Sequence, residues 1–321
     1  MLLRTGPTPP RFPLNLLHPL GPLFRYLPLP LRRHILYFRT HGRWGNFAHP
    51  QRFSEKIQWR ILNDHREIIT LVCDKIRSKE FVETRWRNAR IHDTFKVPAT
   101  YWTGDSSDKM FSVMSSFPAR FVMKPNASSG RVLLADLDLE PIPETMARRL
   151  FDEWLLPDEE TEVLGHGGYL RAQKLMIVEE RLGQGKDAPA DIRIFSNRGV
   201  IIAAACTGTT LAGNSWTATY DGNFQRRPSG FRGQLPLDAE TSLSALGAEE
   251  IKRLKEAIFV ISEAFDQVRV DLYRVEGVYY FGEFTAYSSG GLVKYSDEHD
   301  LRLGHAWALP DVKELLSNSM R

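Results

Sequence analysis

Helical periodicity marks two segments of the chain. From Ser54 to about Asn88, apolar residues recur every three or four positions with polar residues between them, which is the pattern of amphipathic helix. The segment from Ala248 to about Phe265 repeats this pattern. We therefore predict a helical region early in the chain and one long helix near its end. The apolar positions that carry these predictions are Ile57, Ile61, Ile68, Leu71, Ile251, Leu254, Ile258 and Ile261.

Short apolar runs bounded by turn residues predict β-strands between and after these helices. Two of the runs flank Asn197-Arg198-Gly199, which predicts a β-hairpin at that point. Helices and strands are mixed along the chain without a repeat, so the predicted fold class is α+β. The predicted strands are Arg120–Pro125, Leu175–Val178, Ile192–Phe195, Val200–Cys206, Val268–Tyr273 and Val278–Thr285.

Composition excludes several classes of protein. The chain has 321 residues, of which 42% are hydrophobic and 25% are charged, and these are ordinary values for a globular protein. A net charge of +3 does not indicate a nucleic-acid partner, and we predict none. No run reaches the roughly 18 apolar residues of a membrane span, and the N-terminus lacks the apolar core of a signal peptide.

The chain contains two cysteines, Cys73 and Cys206, which is too few for a disulfide scaffold or a cysteine-rich zinc site. Cys206 ends the apolar run that begins at Val200, so we predict a buried free thiol there. These features together predict a cytoplasmic protein.

Residues 1–45 are rich in proline, leucine and arginine. Interleaved apolar and basic side chains are typical of a peripheral contact with a membrane. The alternative, which we prefer, is a strap packed on the protein's own surface.

Polar residues alternate with apolar ones in the last two predicted strands. Arg269 and Asp271 alternate with valines and a leucine, and Glu283 and Thr285 occupy alternate positions of the following strand. Two carboxylates and a hydroxyl on rigid strands are hard oxygen ligands of the kind that Mg²⁺ prefers. The alternative is an exposed polar face of an antiparallel sheet.

The turn between these strands decides whether the two carboxylates can meet. A two-residue turn at Glu276-Gly277 would place Asp271 and Glu283 on opposite faces of the hairpin. A three-residue loop, with Gly277 left-handed as a bulge, would place them on one face. The metal hypothesis therefore predicts the bulged loop.

Three other segments carry candidate chemistry. Lys124 ends an apolar strand before Asn126-Ala127-Ser128-Ser129-Gly130, a small flexible loop of the kind that can bind phosphate. Glu179 and Glu180 end another strand, although acidic residues at a strand end are common. Asp191 and Arg193 share one strand face, for which a surface salt bridge is the usual explanation.

In this order the segments resemble the ATP-grasp superfamily. Asp74-Lys75-Ile76-Arg77-Ser78-Lys79 resembles the helix start of D-alanine–D-alanine ligases, and Val97-Pro98-Ala99 resembles the short strand that follows it. The resemblance implies MgATP as cofactor, phosphate contacts from Lys75 and Lys124, and catalytic roles for Arg269, Lys124 and Arg193. It also implies metal ligation by Asp271 and Glu283, whereas Thr285 stands where the family often has asparagine. The remaining implied nucleotide-site residues are Ser128, Ser129, Gly130, Lys174, Glu179, Glu180, Arg181, Leu182 and Asp191.

A closer resemblance is to the TupA-like ATP-grasp family, which is associated with teichuronopeptide and other surface polysaccharides. It is carried by Phe53-Ser54-Glu55-Lys56-Ile57-Gln58-Trp59, by Lys124-Pro125-Asn126 and by the segment from Gly282 to Leu292. It extends from about residue 20 to residue 310 and implies two α+β lobes that clasp a nucleotide. The division we predict is 1–45 for the basic segment, 46–118 for a helical region, 119–182 for one lobe and 183–321 for the other.

The resemblance implies an ATP-dependent carboxylate–amine ligase that acts on a small-molecule or polysaccharide carboxylate through an acyl phosphate. Lys294, Arg226 and Arg227 are candidates for holding an acidic substrate, and the loop from Gly208 to Trp216 is a candidate border of its site. One alternative is a glycosyltransferase in which Asp271 or Glu283 holds the metal. The other is a non-catalytic assembly protein that binds a membrane through residues 1–45.

Overall fold

Two β-sheets with helices packed on them make up the fold. The computed structural model describes residues 21–139, 142–156, 159–183, 189–209, 215–227 and 243–311. Helices α1 to α11 span Gly21–Phe24, Leu29–His41, Phe53–Asn63, Glu67–Cys73, Lys75–Asn88, Ser107–Val113, Glu144–Leu155, Glu159–Leu164, Gly167–Arg171, Ala248–Ser262 and Asp297–Ala306. Strands β1 to β11 span Phe95–Lys96, Thr100–Gly104, Arg120–Pro125, Leu133–Asp136, Met176–Glu180, Asp191–Asn197, Val200–Thr209, Ser215–Asp221, Arg226–Arg227, Val268–Val275 and Val278–Thr285.

The smaller sheet has four antiparallel strands in the order β2-β5-β3-β4. Apolar side chains alternate along β3, so Phe121 and Met123 point to one face and Val122 and Lys124 to the other. The first face is buried against α6 and α7, where it meets Phe151 and other apolar side chains. The second face is therefore the one that carries Lys124.

The larger sheet has seven strands in the order β1-β11-β10-β6-β7-β8-β9, and only the β1–β11 pair is parallel. Its apolar face is covered by α5 and α10. Trp86 of α5 packs edge-on against Phe281, with 6.4 Å between the ring centroids, and donates a hydrogen bond to the carbonyl oxygen of Ala257 in α10. The polar residues of β10 and β11 are therefore left on the opposite face. The chain passes from the larger sheet to the smaller one between β1 and β2 and returns to the larger one between β5 and β6.

The helical region predicted from Ser54 to about Asn88 is three helices and not one. α3 ends before Asp64, whose carboxylate binds the Arg66 side chain at 2.8 Å. α4 ends at Asp74, whose carboxylate accepts a hydrogen bond from the backbone of Arg77 at 3.0 Å and so caps α5. Aspartates favour such caps over helix interiors because their side chains compete for backbone N–H groups. The apolar periodicity continues through both breaks, which is why it did not reveal them.

The predicted strands are present, and Cys206 is a buried free thiol as predicted. The hairpin at Asn197-Arg198-Gly199 is confirmed, with Asn197 paired to Val200 and positive φ angles at Arg198 and Gly199. The short strand expected at Val97-Pro98-Ala99 is instead divided into β1 and β2 on either side of those residues. Since Pro98 has no N–H to donate, it falls between the two pairings.

A buried ionic cluster fixes α3 to the far end of the larger sheet. Arg60 of α3 is fully buried and donates to the Asp266 carboxylate at 2.6 Å. Arg66 reaches the other oxygen of Asp266 at 2.6 Å, and the Trp307 indole donates to the first oxygen at 2.7 Å. Burial alone would raise the pKa of Asp266, but Arg60 and Arg66 overcome that effect and hold the pKa below its usual range.

Helix α2 packs on the protein's own surface, as the strap interpretation expects. Arg33 and Tyr37 of α2 are fully buried, and the Tyr37 hydroxyl lies 3.0 Å from the Ser54 hydroxyl of α3. Residues 1–20 of the basic segment lie outside the described residues. Among the helices that are described, none combines the length and apolarity needed to cross a bilayer.

We expect Asp266→Asn to destabilise the protein by about 3 kcal/mol, because it removes the nearest anion of the buried Arg60 and leaves Asp64 alone to neutralise Arg60 and Arg66. The wild-type contribution is present above the usual aspartate pKa and is lost as pH falls through the lower folded-state pKa. Denaturant unfolding at pH 7 and at acidic pH should therefore show a pH dependence that the variant lacks. The control is Asp297→Asn, an exposed carboxylate near Arg52, which should change stability by less than about 1 kcal/mol. Equal effects of the two variants would contradict the role of the cluster.

Candidate active site

The two acidic residues of the last hairpin lie directly opposite each other. Asp271 of β10 pairs in register with Glu283 of β11, so both side chains stand on the same face of the sheet. Asp271 also pairs with Arg193 of β6 on its other side. Three neighbouring strands thus place Arg193, Asp271 and Glu283 in one row.

The bulge that makes this row possible is not in the turn. Val275 pairs with Val278, so the loop is the two-residue turn Glu276-Gly277, with positive φ at both residues. The predicted three-residue loop is therefore wrong. The register shifts instead inside the strands, where Leu272 pairs with Phe281 and Asp271 with Glu283, and Gly282 is the extra residue. The predicted consequence, both carboxylates on one face, is confirmed.

Two arginines neutralise the aspartates of this face. The Arg269 guanidinium donates to both carboxylate oxygens of Asp271, with 2.6 Å between Nε and Oδ1. Arg193 donates from Nε to Asp191 Oδ2 at 2.7 Å. Burial raises the pKa of Asp271 to about 6, and the charge of Asp191 adds to this although Arg269 opposes it.

The donor set fits a hard divalent cation. Thr285 pairs with Arg269 across the hairpin and has a buried hydroxyl with no hydrogen-bond partner in the described part of the chain. Together with Asp271 and Glu283 it offers oxygen ligands alone, which suits Mg²⁺ when phosphate and water complete the shell. Within the described ranges no group of three or more acidic, histidine or cysteine side chains could hold a metal by itself.

Lys75 connects the two sheets. Its Nζ lies 3.6 Å from Glu283 Oε2 of the larger sheet. The same ammonium group donates to the carbonyl oxygen of Ser128, in the loop after β3 of the smaller sheet, and lies 3.5 Å from that of Asn126. Burial lowers the pKa of Lys75, and Glu283 acts in the opposite direction.

Lys124 belongs to a buried triad of charges. Its ammonium group contacts one oxygen of Glu179, and Lys79 of α5 donates to the other oxygen at 2.9 Å. Burial alone would raise the pKa of Glu179, but the two lysines hold it below its usual range. Sequence analysis did not propose Lys79 as a site residue. Its spacing of four from Lys75 was the available signal, because residues i and i+4 share a helix face.

The loop after β3 is held against the start of α5. The Asn126 side chain accepts a hydrogen bond from the backbone of Ile76 at 2.9 Å and donates to the carbonyl of Gln173 at 2.9 Å. Ser128 and Lys174 line one small crevice beside this loop. Ser129 is exposed, and Gly130 has a φ of 76°, which favours glycine.

The predicted hinge residues lie at the end of β5 and directly after it. Glu179 pairs with Thr100 on one side and Val122 on the other, so its backbone lies inside the sheet. The Glu180 N–H donates to the carbonyl of Ala99 at 2.8 Å. Arg181 and Leu182 come after the strand ends.

The candidate substrate residues lie away from the carboxylate row. Arg227 lies on the same sheet face as the row, because Asp271, Arg193, Ala205, Thr219 and Arg227 pair in succession across the sheet. It is nevertheless four strands from Asp271, which is about 19 Å at the usual strand spacing. Arg226 pairs with Tyr220, whose side chain is in the core, so it belongs to the other face. Lys294 is exposed. Of the loop from Gly208 to Trp216, residues 210–214 lie outside the described ranges.

Comparison with known proteins gives one family match. The family model described as TupA-like ATPgrasp matches residues 55–308, which is well over half of the chain and includes every strand described above. No curated protein sequence matches the chain.

Solved structures with a similar fold share little sequence with the chain. D-alanine–D-alanine ligase from Bacillus anthracis is 14% identical over 76% of this chain and 70% of its own, with a TM-score of 0.41. ATP-grasp ligase PsnB is 12% identical over 78% of this chain and 62% of its own, with a TM-score of 0.37. L-amino acid ligase from Bacillus licheniformis is 10% identical over 78% and 51%, with a TM-score of 0.40. The chain thus spans less than two thirds of the latter two proteins.

The bulge at Gly282 should tolerate no side chain. A Cβ atom there would lie 3.0 Å from the backbone oxygen of Asp271 and 2.9 Å from the Tyr273 ring. We expect Gly282→Ala to reduce stability by about 1–3 kcal/mol, measured by denaturant unfolding, because the two strands must separate around the new atom. The control is Gly247→Ala, where a Cβ meets nothing within 4 Å. If the two variants unfold at the same denaturant concentration, the close approach is not limiting.

Proposed function

We propose that this chain, which belongs to the TupA-like ATP-grasp family and is an ATP-dependent ligase, joins a carboxylate to an amine through an acyl phosphate. The observation that carries the proposal is the contact of Lys75 with Glu283. It brings Lys75 of α5, which also contacts the loop that follows Lys124, to the carboxylates of the larger sheet, which is the charge arrangement that a nucleotide triphosphate requires.

The lysines are the proposed phosphate ligands. Lys75 and Lys124 bind the phosphates of ATP. Lys79 donates to one oxygen of Glu179 and so holds this carboxylate in its contact with Lys124. The start of α5 adds to this attraction, because the N–H groups at a helix N-terminus favour anions. Ser128, Ser129 and Gly130 close over the phosphates and exclude water.

The adenine is proposed to contact the chain just after β5. The backbone of Glu179 is taken up by its two neighbouring strands, and the N–H of Glu180 is bonded to Ala99. The first backbone groups beyond the strand are those of Arg181 and Leu182, and they are therefore the proposed adenine contacts. Asp191 has one buried oxygen with no hydrogen-bond partner in the described structure, which suits a ribose hydroxyl.

Asp271 and Glu283, with Thr285, are the proposed Mg²⁺ ligands. When bound, the ion would neutralise charge on the phosphoryl oxygens and orient them for transfer. Arg269, which remains protonated through its contact with Asp271, adds a fixed positive charge beside the same position. Arg193 lies next to Asp271 in the row and adds a second positive charge there.

The proposed reaction has two steps. A substrate carboxylate oxygen attacks the γ-phosphorus, the bond to the bridging oxygen breaks, and ADP leaves. The amine then attacks the acyl carbon, phosphate leaves, and the nitrogen loses a proton. The protein holds the reactants in line and stabilises the charge of the phosphoryl group, so no covalent bond to the chain is needed.

The proposed carboxylate is a uronate of a surface polysaccharide, and the proposed amine is an amino acid. Support comes from the family association and from the sheet face between Arg193 and Arg227. That face carries Ala205 and Thr219 between the two arginines. A basic residue at each end of a row of small side chains, three strand spacings or about 14 Å apart, suits an acidic substrate. We propose that the enzyme works in the cytoplasm, where ATP is available.

Removal of the two metal carboxylates should abolish turnover. We expect Asp271→Asn combined with Glu283→Gln to lower Mg²⁺-dependent ADP release by on the order of a hundredfold or more. The matched control is Asp297→Asn with Glu298→Gln, which removes the same charge from the exposed start of α11. Circular dichroism should show both proteins folded. Undiminished ADP release by the first variant would remove the proposed metal site.

The substrate proposal is tested by incubation with MgATP and a panel of uronates and amino acids. We expect phosphate release only when both an acid and an amine are present, and a product whose mass is their sum less one water. ATP should also raise the melting temperature, whereas a nucleotide sugar should not. Glycosyl transfer without ATP would contradict the ligase assignment.

A further inference from the structure

Helix α2 is apolar on both of its faces. Arg33, Leu36 and Tyr37 point toward the body of the protein and are buried. Leu31 and Phe38 are seven positions apart, so they share the opposite face, which points to solvent. A surface helix ordinarily has a polar outer face. This outer face therefore requires an explanation.

Exposed apolar side chains are concentrated around this helix. Leu31 is 44% exposed, Phe38 is 42% exposed and Trp44 is 63% exposed. Trp44 lies over the helix, with its ring centroid 5.0 Å from that of Phe38. Leu23 of α1 and Tyr26 of the following turn are 60% and 77% exposed. These five residues, here called the outer apolar surface, all lie within residues 23–44.

The helix cannot turn over to bury this surface. The Arg33 guanidinium donates to the Gln58 side chain at 2.7 Å and to the carbonyl oxygens of Leu164 and Gly290 at 3.2 and 2.5 Å. His41 lies 3.1 Å from the carbonyl of Gly291. Rotation of α2 would break these buried hydrogen bonds, each of which is costly to leave unmade. The inner contacts therefore keep Leu31 and Phe38 facing outward.

The N-terminal segment that carries the surface is basic in sequence, although Asp297 and Asp300 from the end of the chain pair with its Arg43. Residues 1–54 contain eight arginines and no aspartate, glutamate or lysine, which gives this segment +8, while residues 55–321 together carry −5. Arg32 and Arg39 are also seven positions apart and form a stripe beside Leu31 and Phe38. Arg39 and Arg25 are exposed. The partner that complements this surface is thus apolar and anionic at once.

We propose that the outer apolar surface docks the enzyme on an anionic lipid bilayer. Tryptophan, tyrosine and phenylalanine enter the headgroup region, and the arginines contact the lipid phosphates. The inner face of α2 binds Gly290 and Gly291, which follow the strand that carries Glu283. Docking would therefore hold the proposed active site at a fixed orientation to the membrane. This inference does not rest on the ligase activity.

Sedimentation of the full chain with lipid vesicles tests the proposal. Vesicles that contain phosphatidylglycerol should bind the protein at least tenfold more tightly than vesicles of phosphatidylcholine alone, and added salt should weaken the binding. Leu31→Ser, Phe38→Ser and Trp44→Ser together should weaken binding at least tenfold. Arg25→Glu with Arg39→Glu should do the same, because each basic residue near the surface contributes to attraction. The apolar control is Val200→Ser with Phe259→Ser, which removes exposed side chains elsewhere and should bind as the wild type does.

Three results would overturn the proposal. They are equal binding to both kinds of vesicle, unchanged binding by the triple serine variant, and self-association in solution that the triple variant abolishes. The last would identify a second copy of the chain as the partner. Unchanged melting temperatures of the variants show that α2 remains in place, so that weakened binding reports on the surface alone.

Discussion

The position of Lys75 is the constraint on which the arrangement of the site depends. As the first residue of α5 it has little freedom, because Asp74 caps the helix and Asn126 binds the backbone of Ile76. Its buried ammonium group needs partners, since a buried charge without them is expensive. It finds them in the carbonyl oxygens of the loop after β3 and in Glu283 of the other sheet. The ammonium group of Lys75 therefore connects α5, the loop after β3 and the β10–β11 hairpin.

The local parts of the fold could be predicted from sequence because their signals are local. Alternation identified the strands that carry Lys124, Asp191, Asp271 and Glu283, and the resemblance to the TupA-like family supplied their order. The helix break at Asp64 was missed, because apolar periodicity continues across it, and the start of α5 at Asp74 came from the resemblance and not from periodicity. The two-residue strand β9 was also missed, since it is too short for any alternation to show.

The site shows the limit of such reasoning more sharply. The same-face placement of Asp271 and Glu283 was predicted correctly through a wrong turn, since the bulge lies at Gly282 and not at Gly277. A bulge at Gly277 and a bulge at Gly282 each add one residue between the paired positions, and the sequence alone does not distinguish the two. Structure does, because Gly282 is where a side chain would meet the backbone of Asp271. The Lys79–Glu179–Lys124 triad was missed for another reason: its members are distant in sequence and meet only through packing.

The internal pairing of these charges bears on how a nucleotide would bind. Lys79 and Lys124 share Glu179, Lys75 contacts Glu283, and Arg269 grips Asp271. Pairing of this kind lets a buried site hold several cations without their mutual repulsion. In the proposed complex, phosphate oxygens would replace the carbonyl partners of Lys75, and a metal ion would neutralise Asp271 and Glu283. Binding would then replace the existing partners of these charged groups with ligand atoms. The groups are already buried and paired in the folded protein, so ligand binding need not desolvate them again.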